Sequence, residues 1–416
     1  MPMITKGKNI IRDKAAKEFS VIFAGDFCVS SEVSMELLKD GKAEEIVKDI
    51  KPVFDNSDIR VLQWETVCGM EGEPIAKSGP NLHNPEFCMD FAKALGIDIT
   101  LLANNHTGDF GPEMAIKTRD RLAAAGFQTA GVGKNLAEAR KPLYIEHNGL
   151  KIAILNFCEN EFGNAKVDEA GTNPYGVIAI AKSIVEAKKS ADLVFLTMHG
   201  GHEQNPLPSP RMTEEFRYYV SCGADLVFNC HTHCPEGVEV VDGVPIIYSP
   251  GNFFFPKDKL MGNTPESDRV WRTGYLPKFY CDEQGVYAYE LTPYYFSNTA
   301  VMPITGSEED GFFAYLNKIT DPIGDAALLK KYFDGWSYKC GFSVYLNSIR
   351  KGLPENEITP QDVSYCPDYY AVRNIFTCES HNDMIRNTMR LIEEKRLQES
   401  EKTYDEVIAK LRVFDF

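Results

Sequence analysis

The chain has 416 residues, 44% of them hydrophobic and 11% aromatic, which is the composition of a folded globular protein long enough for two or three domains. Sixty acidic against 44 basic residues leave a formal net charge of −16, which argues against nucleic acid and anionic membrane surfaces, since both are bound through basic patches. A phosphorylated or acidic substrate is compatible with that charge, because a bound metal ion supplies positive charge locally.

The N-terminal segment, residues 1–19, mixes charges and lacks an apolar core of signal-peptide length. No window in the chain reaches the ~20 apolar residues of a transmembrane helix. Eleven cysteines, an odd number with no Cys-x-x-Cys pair, read as reduced thiols. The expectation is a soluble, cytoplasmic protein without membrane insertion.

In chain order, strands are predicted at 20–25 (SVIFAG), 59–64 (IRVLQW), 98–103 (DITLLA), 151–157 (KIAILNF), 192–198 (DLVFLTM) and 224–228 (ADLVF). Helical periodicity occupies 85–96, 111–126, 179–191 and 212–223, and several of these runs end in Gly. The run 238–249 reads as a hairpin around Asp242-Gly243. Strand and helix in alternation indicate an α/β layered sheet domain with flanking helices, assigned to 20–298. From about residue 300 the pattern becomes helical, so 299–416 is expected as a mainly helical C-terminal extension packed on that domain. Its aromatic stretches, YKCGFSVY and SYCPDYY, and PYYFS just before it, are expected in core packing.

Ligands of open α/β sheets gather at the carboxyl ends of strands. The run 20–25 is followed by Asp26, 59–64 by Glu65, and 98–103 by Asn104, Asn105 and His106, with Asp109 close behind. The run 192–198 is followed by His199, then His202 and Glu203, and 224–228 leads to His231 and His233. Each has a plain alternative: a helix N-cap at Asp26, a solvated loop acid at Glu65, polar turns at Asn104–His106 and His199. Together they place carboxylates, imidazoles and an amide at five strand ends, which in one parallel sheet would lie on one edge. Those groups are ligands for Zn²⁺, Mn²⁺ or Fe. His231 and His233, spaced i, i+2 after a strand, would project to one side of the backbone.

This order of motifs resembles the calcineurin-like metallophosphoesterases, whose final motif is Gly-His-Thr-His where this chain has NCHTH. It resembles more closely the CapA-type capsule and poly-γ-glutamate biosynthesis branch, in AGDF, QWET, ANNHTGDFG, HGGHE and the block GADLVFNCHTHCPEGVEVVDGVPIIYSPGNFFF. The likeness covers about residues 20–256 and implies a metallophosphoesterase-like fold with two divalent ions, Mn, Zn or Fe. It implies Asp26 and His233 on the first ion, Glu65 bridging both, and Asn105, His199 and His231 on the second. It further implies that His106 assists the leaving group without binding metal, and that Asp109 orients His106. Three departures stand out: Asp26-Phe27-Cys28 replaces Asp-x-His, Glu65 replaces an aspartate, and Cys230 replaces the glycine before the last motif. Cys28, Cys230 and Cys234 are expected to be buried thiols.

The leading reading is metal-dependent hydrolysis of a small-molecule phosphoester. Alternatives are amide-bond cleavage or transfer on an anionic polymer such as poly-γ-glutamate, and a non-catalytic polymer-binding component of capsule assembly. The loop 69–85, rich in Gly and Pro, is expected as a flap over the site.

Overall fold

Strands that are apolar along their whole length must be covered on both faces, and that requirement produces four layers here. The Phe19–Phe27 strand is buried at all nine positions. It runs parallel to Ile59–Trp64, which runs parallel to Ile99–Leu101. The structure, a computed structural model, describes residues 3–353, 367–414 and 416.

These three strands belong to a nine-stranded sheet. Its other half is antiparallel: Thr273–Asp282 pairs with Phe19–Phe27 on one side and with Gly285–Phe296 on the other. Lys8–Ile10, from the N-terminal segment, extends this half beside Gly285–Phe296. A second, six-stranded sheet has Leu193–His199 between parallel Leu150–Cys158 and Leu226–Cys230. The hairpin of Val238–Val241 and Val244–Ile247 forms one of its edges.

Alternate residues of one strand serve different layers. Phe23, Val61 and Ile99 of the first sheet share a core with Ile154, Phe195 and Phe228 of the second, and the Phe23 and Phe228 rings lie 4.7 Å apart. Ile22, Ala24 and Leu62 face the other way, onto Ile46, Phe54 and Phe91. Leu155, Leu196 and Val227 likewise pack with residues of the helices Val177–Ala187 and Pro210–Ser221. Asn156 ties the sheets together near their strand ends, its Oδ1 accepting from the N–H groups of Leu102 and Ala103 at 3.1 and 2.8 Å.

The layered α/β domain expected from the sequence is present, with its strand ends divided between two facing sheets. Thr273–Asp282 takes a place beside Phe19–Phe27, and Leu143–His147, Leu150–Cys158, Leu193–His199, Leu226–Cys230, Val238–Val241 and Val244–Ile247 form a sheet of their own. The run 85–96 becomes a tight turn, Glu86–Cys88, leading into the short helix Met89–Ala94. The helical C-terminal region includes Gly306–Thr320, Ala326–Ser337, Pro367–Thr377 and Glu379–Glu393. Tyr294 and Phe296 of PYYFS are buried in the long hairpin, whereas Phe342 and Val344 of YKCGFSVY are exposed. Of SYCPDYY, residues 364–366 lie outside the described residues. Among the described residues no helix is long and apolar enough to cross a membrane.

Candidate metal centre

Asp26 owes its direction to a bulge. The pairing of Phe19–Phe27 with Ile59–Trp64 shifts register between Ala24 and Asp26, an extra residue that re-aims the side chain after it. That residue is Gly25, and a Cβ there would collide with the carbonyl oxygen of Gly251. Glu65 follows directly after Trp64, and its N–H donates to the Phe27 carbonyl at 3.0 Å. Asn104 builds the third strand end: its Nδ2 donates to the Trp64 carbonyl at 2.8 Å, and its Oδ1 accepts from the N–H groups of His106 and Thr107 at 3.0 and 2.8 Å. Asn104 is therefore the turn-forming residue. Asn105 faces the second sheet, its Oδ1 3.0 Å from His199 Nε2.

On the second sheet Cys158, His199 and Cys230 stand in register across three neighbouring strands. His231 and His233 lie past the last of these, which ends at Cys230, and their φ values are 108° and 56°. Strand alternation does not present them, as their spacing suggested. A left-handed loop does, at a cost of order 1–3 kcal/mol per residue that the surrounding packing must offset.

The result is one buried cluster spanning both sheets. Glu65 Oε1 lies 3.3 Å from His199 Nε2 and 3.9 Å from His233 Nε2. Asp26 Oδ2 lies 3.6 Å from His233 Nδ1 and accepts from the His231 N–H at 3.1 Å. His231 Nδ1 lies 3.1 Å from His199 Nε2. The donor atoms form two groups, Glu65 with His199 and His231, and Asp26 with Glu65 and His233, each with its atoms within 4.8 Å of one another. Glu65 belongs to both.

These residues fit a divalent metal. Asp26 and Glu65 are fully buried, yet Asp26 Oδ1, both Glu65 oxygens and His199 Nδ1 lack hydrogen-bond partners. Burial pushes the Asp26 carboxyl up to about 7, against the pull of His231. Burial and the neighbouring Asp26 charge push Glu65 well above the usual carboxylate range. Burial, with His231 beside them, holds the His199 and His233 imidazoles well below their usual value. Buried carboxylate oxygens without hydrogen-bond partners thus converge with neutral imidazoles, and a shared cation satisfies that arrangement. Cys28, Cys230 and Cys234 stand outside both groups; burial pushes the Cys28 thiol up to about 12 and raises the Cys230 and Cys234 thiols as well.

Beside the cluster, His106 Nδ1 lies 2.7 Å from Asp109 Oδ2. Asp109 is fully buried; it accepts from the Leu82 N–H at 2.7 Å and pairs with Lys77 Nζ at 2.5 Å. Lys77 belongs to the loop 69–85, which is tied to Asp109 through the Ile75 N–H and Asn81 Nδ2 at 2.9 and 2.8 Å. His202 points elsewhere: its Nε2 lies 2.7 Å from the Ser380 carbonyl oxygen of the C-terminal region.

Four polar residues were not foreseen. Asn252 Oδ1 lies 2.8 Å from His233 Nδ1. Glu159 and Glu161 follow the 151–157 strand, so the strand-end rule extended to that run points to both. Lys77 has no sequence signal. Glu159 accepts from Arg211 Nη2 at 2.6 Å and from Ser380 Oγ at 2.8 Å. Burial opposes its ionisation, but Arg211 and Ser380 outweigh burial and bring it from 4.5 down to about 2. A lowered carboxylate stabilises the fold fully above its unfolded pKa and loses that contribution as pH falls through the folded value. Glu159→Gln is therefore expected to lower stability at pH 7 by about 3 kcal/mol. Denaturant melts should show the deficit shrinking as pH falls from 4.5 toward about 2.

The fold and cluster define a layered α/β protein whose buried His, Asp and Glu groups could bind metal at the matching edges of two sheets. The family described as "Bacterial capsule synthesis protein PGA_cap" matches residues 20–257, and the chain belongs to that family. It is 28% identical over 281 residues to the PGA biosynthesis protein CapA of Bacillus subtilis, covering 66% of this chain and 70% of that one. It is 23% identical over 350 residues to the capsule biosynthesis protein CapA of Bacillus anthracis, covering 82% of each. Among solved structures it is similar to a phosphatase from Mycoplasma pneumoniae, at 16% identity and a TM-score of 0.40 over 66% of this chain and 93% of that one. It is also similar to the calcineurin-like phosphoesterase YfkN from Bacillus subtilis, at 11% identity and a TM-score of 0.37 over 66% and 90% of the two chains.

Proposed function

We propose that the protein is a metal-dependent hydrolase of the phosphoester type that serves capsule or poly-γ-glutamate biosynthesis. The observation that carries this reading is the double membership of Glu65, a fully buried carboxylate whose oxygens lack hydrogen-bond partners, between His199 with His231 on one side and Asp26 with His233 on the other. When bound, a pair of divalent ions supplies charge stabilisation at phosphorus and a nucleophilic water at neutral pH. Asp26, Glu65 and His233 would hold one ion, and Glu65, Asn105, His199 and His231 would hold the other. His106, fixed at Nδ1 by Asp109, offers Nε2 to the leaving oxygen and delivers its proton there. Lys77 offsets the Asp109 charge in that buried dyad. Purified protein loaded with Mn²⁺ or Zn²⁺ is expected to hydrolyse at least one class in a panel of phosphomonoesters and phosphodiesters. No turnover across the panel with both ions bound contradicts the reading.

A second reading, amide-bond cleavage in an anionic polymer such as poly-γ-glutamate, draws support from a cavity of about 600 Å³ lined by Asn160, Phe162, Lys166, Tyr369, Tyr370 and Arg373. The Arg373 guanidinium stands 4.5 Å from the Phe162 ring, with Lys77 Nζ 5.8 Å from the same ring. Arg373 and the aromatic faces beside it suit a chain of carboxylates, whereas Lys77 is paired with Asp109 and Lys166 with Glu169. Incubation of the loaded protein with the polymer should then shorten it; unchanged chain length removes this reading.

A further inference from the structure

The two histidines of the final motif are held differently, and the difference reaches into the C-terminal region. His233 turns Nδ1 to Asn252, and Asn252 is itself anchored within the sheet domain, its Nδ2 donating to the Trp271 carbonyl at 3.0 Å. His231 turns Nδ1 to His199, and its other nitrogen, Nε2, lies 3.7 Å from Glu161 Oε1. That separation is longer than a hydrogen bond, so the contact orients by charge.

Glu161 does not hold its position alone. Its Oε2 accepts from Asn374 Nδ2 at 2.8 Å, and its carbonyl oxygen accepts from Arg373 Nη1. The neighbouring residues of the same turn are gripped from the same side. The Asn160 N–H donates to Glu379 Oε2 at 2.9 Å, and Glu159 accepts from Ser380 Oγ at 2.8 Å. The turn after Leu150–Cys158 is therefore set by the helices Pro367–Thr377 and Glu379–Glu393.

A histidine that binds a metal through one nitrogen is commonly oriented by a carboxylate or carbonyl at the other, and loss of that partner weakens metal binding. We infer that Glu161 is a positioning residue for His231, and that the C-terminal region, acting through Asn374 and Arg373, completes the half of the site formed by Glu65, His199 and His231. The other half, Asp26, Glu65 and His233, is complete within the sheet domain. This inference rests on the reading that the cluster holds two ions.

The test is Mn²⁺ titration of the full chain by calorimetry and electron paramagnetic resonance, for wild type, Glu161→Gln and Asn374→Ala. Wild type should bind two Mn²⁺ with a coupled-pair spectrum. Both variants should bind the second Mn²⁺ about 10- to 100-fold more weakly and show an isolated-ion spectrum at intermediate Mn²⁺, while the first ion binds as in wild type. Asn374→Ala leaves the turn's own residues intact, so it reports even where Glu161→Gln disturbs folding, which thermal melts of both will show. Two tightly coupled ions in both folded variants overturn the inference and leave the two-ion reading standing. Failure of wild type to bind Mn²⁺ overturns both together.

Discussion

Glu65→Gln is expected to remove both ions from the protein, where replacement of any other single ligand removes one. Glu65 is the carboxylate common to the two donor groups, and a neutral amide cannot offset charge on two cations at once. Affinity for each ion should fall by more than the 10- to 100-fold typical of an outer-shell change. Elemental analysis should read about two ions per wild-type chain and close to none in the variant. His233→Ala, which touches only the group with Asp26, should retain about one. The stability change has the opposite sign in metal-free protein. Glu65 is fully buried with both oxygens unpartnered, and removing an uncompensated buried carboxylate relieves a desolvation penalty of several kcal/mol. Metal-free Glu65→Gln should therefore melt above metal-free wild type. Excess Mn²⁺ should reverse that order, since saturating a site at 100 times its Kd adds about 2.7 kcal/mol to the protein that binds. One ion held tightly in Glu65→Gln contradicts the shared-ligand geometry.

The second large effect falls on turnover with metal content unchanged. His106 lies outside both donor groups but beside them, and its Nδ1 is engaged by Asp109 at 2.7 Å. His106→Gln should lower kcat by about 10²- to 10⁴-fold while the protein keeps its ions. The loss should be greatest for alkyl phosphoesters, whose leaving oxygen needs a proton, and smallest for nitrophenyl esters, whose leaving group departs as a stable anion. Equal losses across leaving groups contradict proton delivery by His106. Asp109→Asn is a poorer probe, because it strands Lys77, only 3% exposed, beside a neutral partner and is expected to destabilise the fold by about 3 kcal/mol.

Strand positions were legible because strands covered on both faces are buried throughout and apolar at most positions, as Phe19–Phe27 and Leu193–His199 are. Which strands share a sheet was not, since hydrophobic patterning records burial and says nothing of partner. The hairpin of Thr273–Asp282 and Gly285–Phe296, which completes the first sheet, lay in a stretch for which no strand was predicted. The strand-end rule led to Asp26, Glu65, Asn105, His199, His231 and His233, which the structure brings together, and also to His202, which it turns toward Ser380. Asn252 and Lys77 were missed for a different reason. Their place at the site depends on contacts across 19 residues to His233 and 32 to Asp109, set by tertiary packing and absent from any local pattern. His231 and His233 converge through positive φ values, which the residue type opposes and only the surrounding loop enforces.

Anomalous diffraction from crystals grown with Mn²⁺, collected at the manganese edge, decides whether Glu65 lies between two metal ions. Two peaks about 3.5–4 Å apart, one beside Asp26 and His233 and one beside His199 and His231 with Glu65 between them, is the predicted result. A single peak, or none within reach of Glu65, would contradict it.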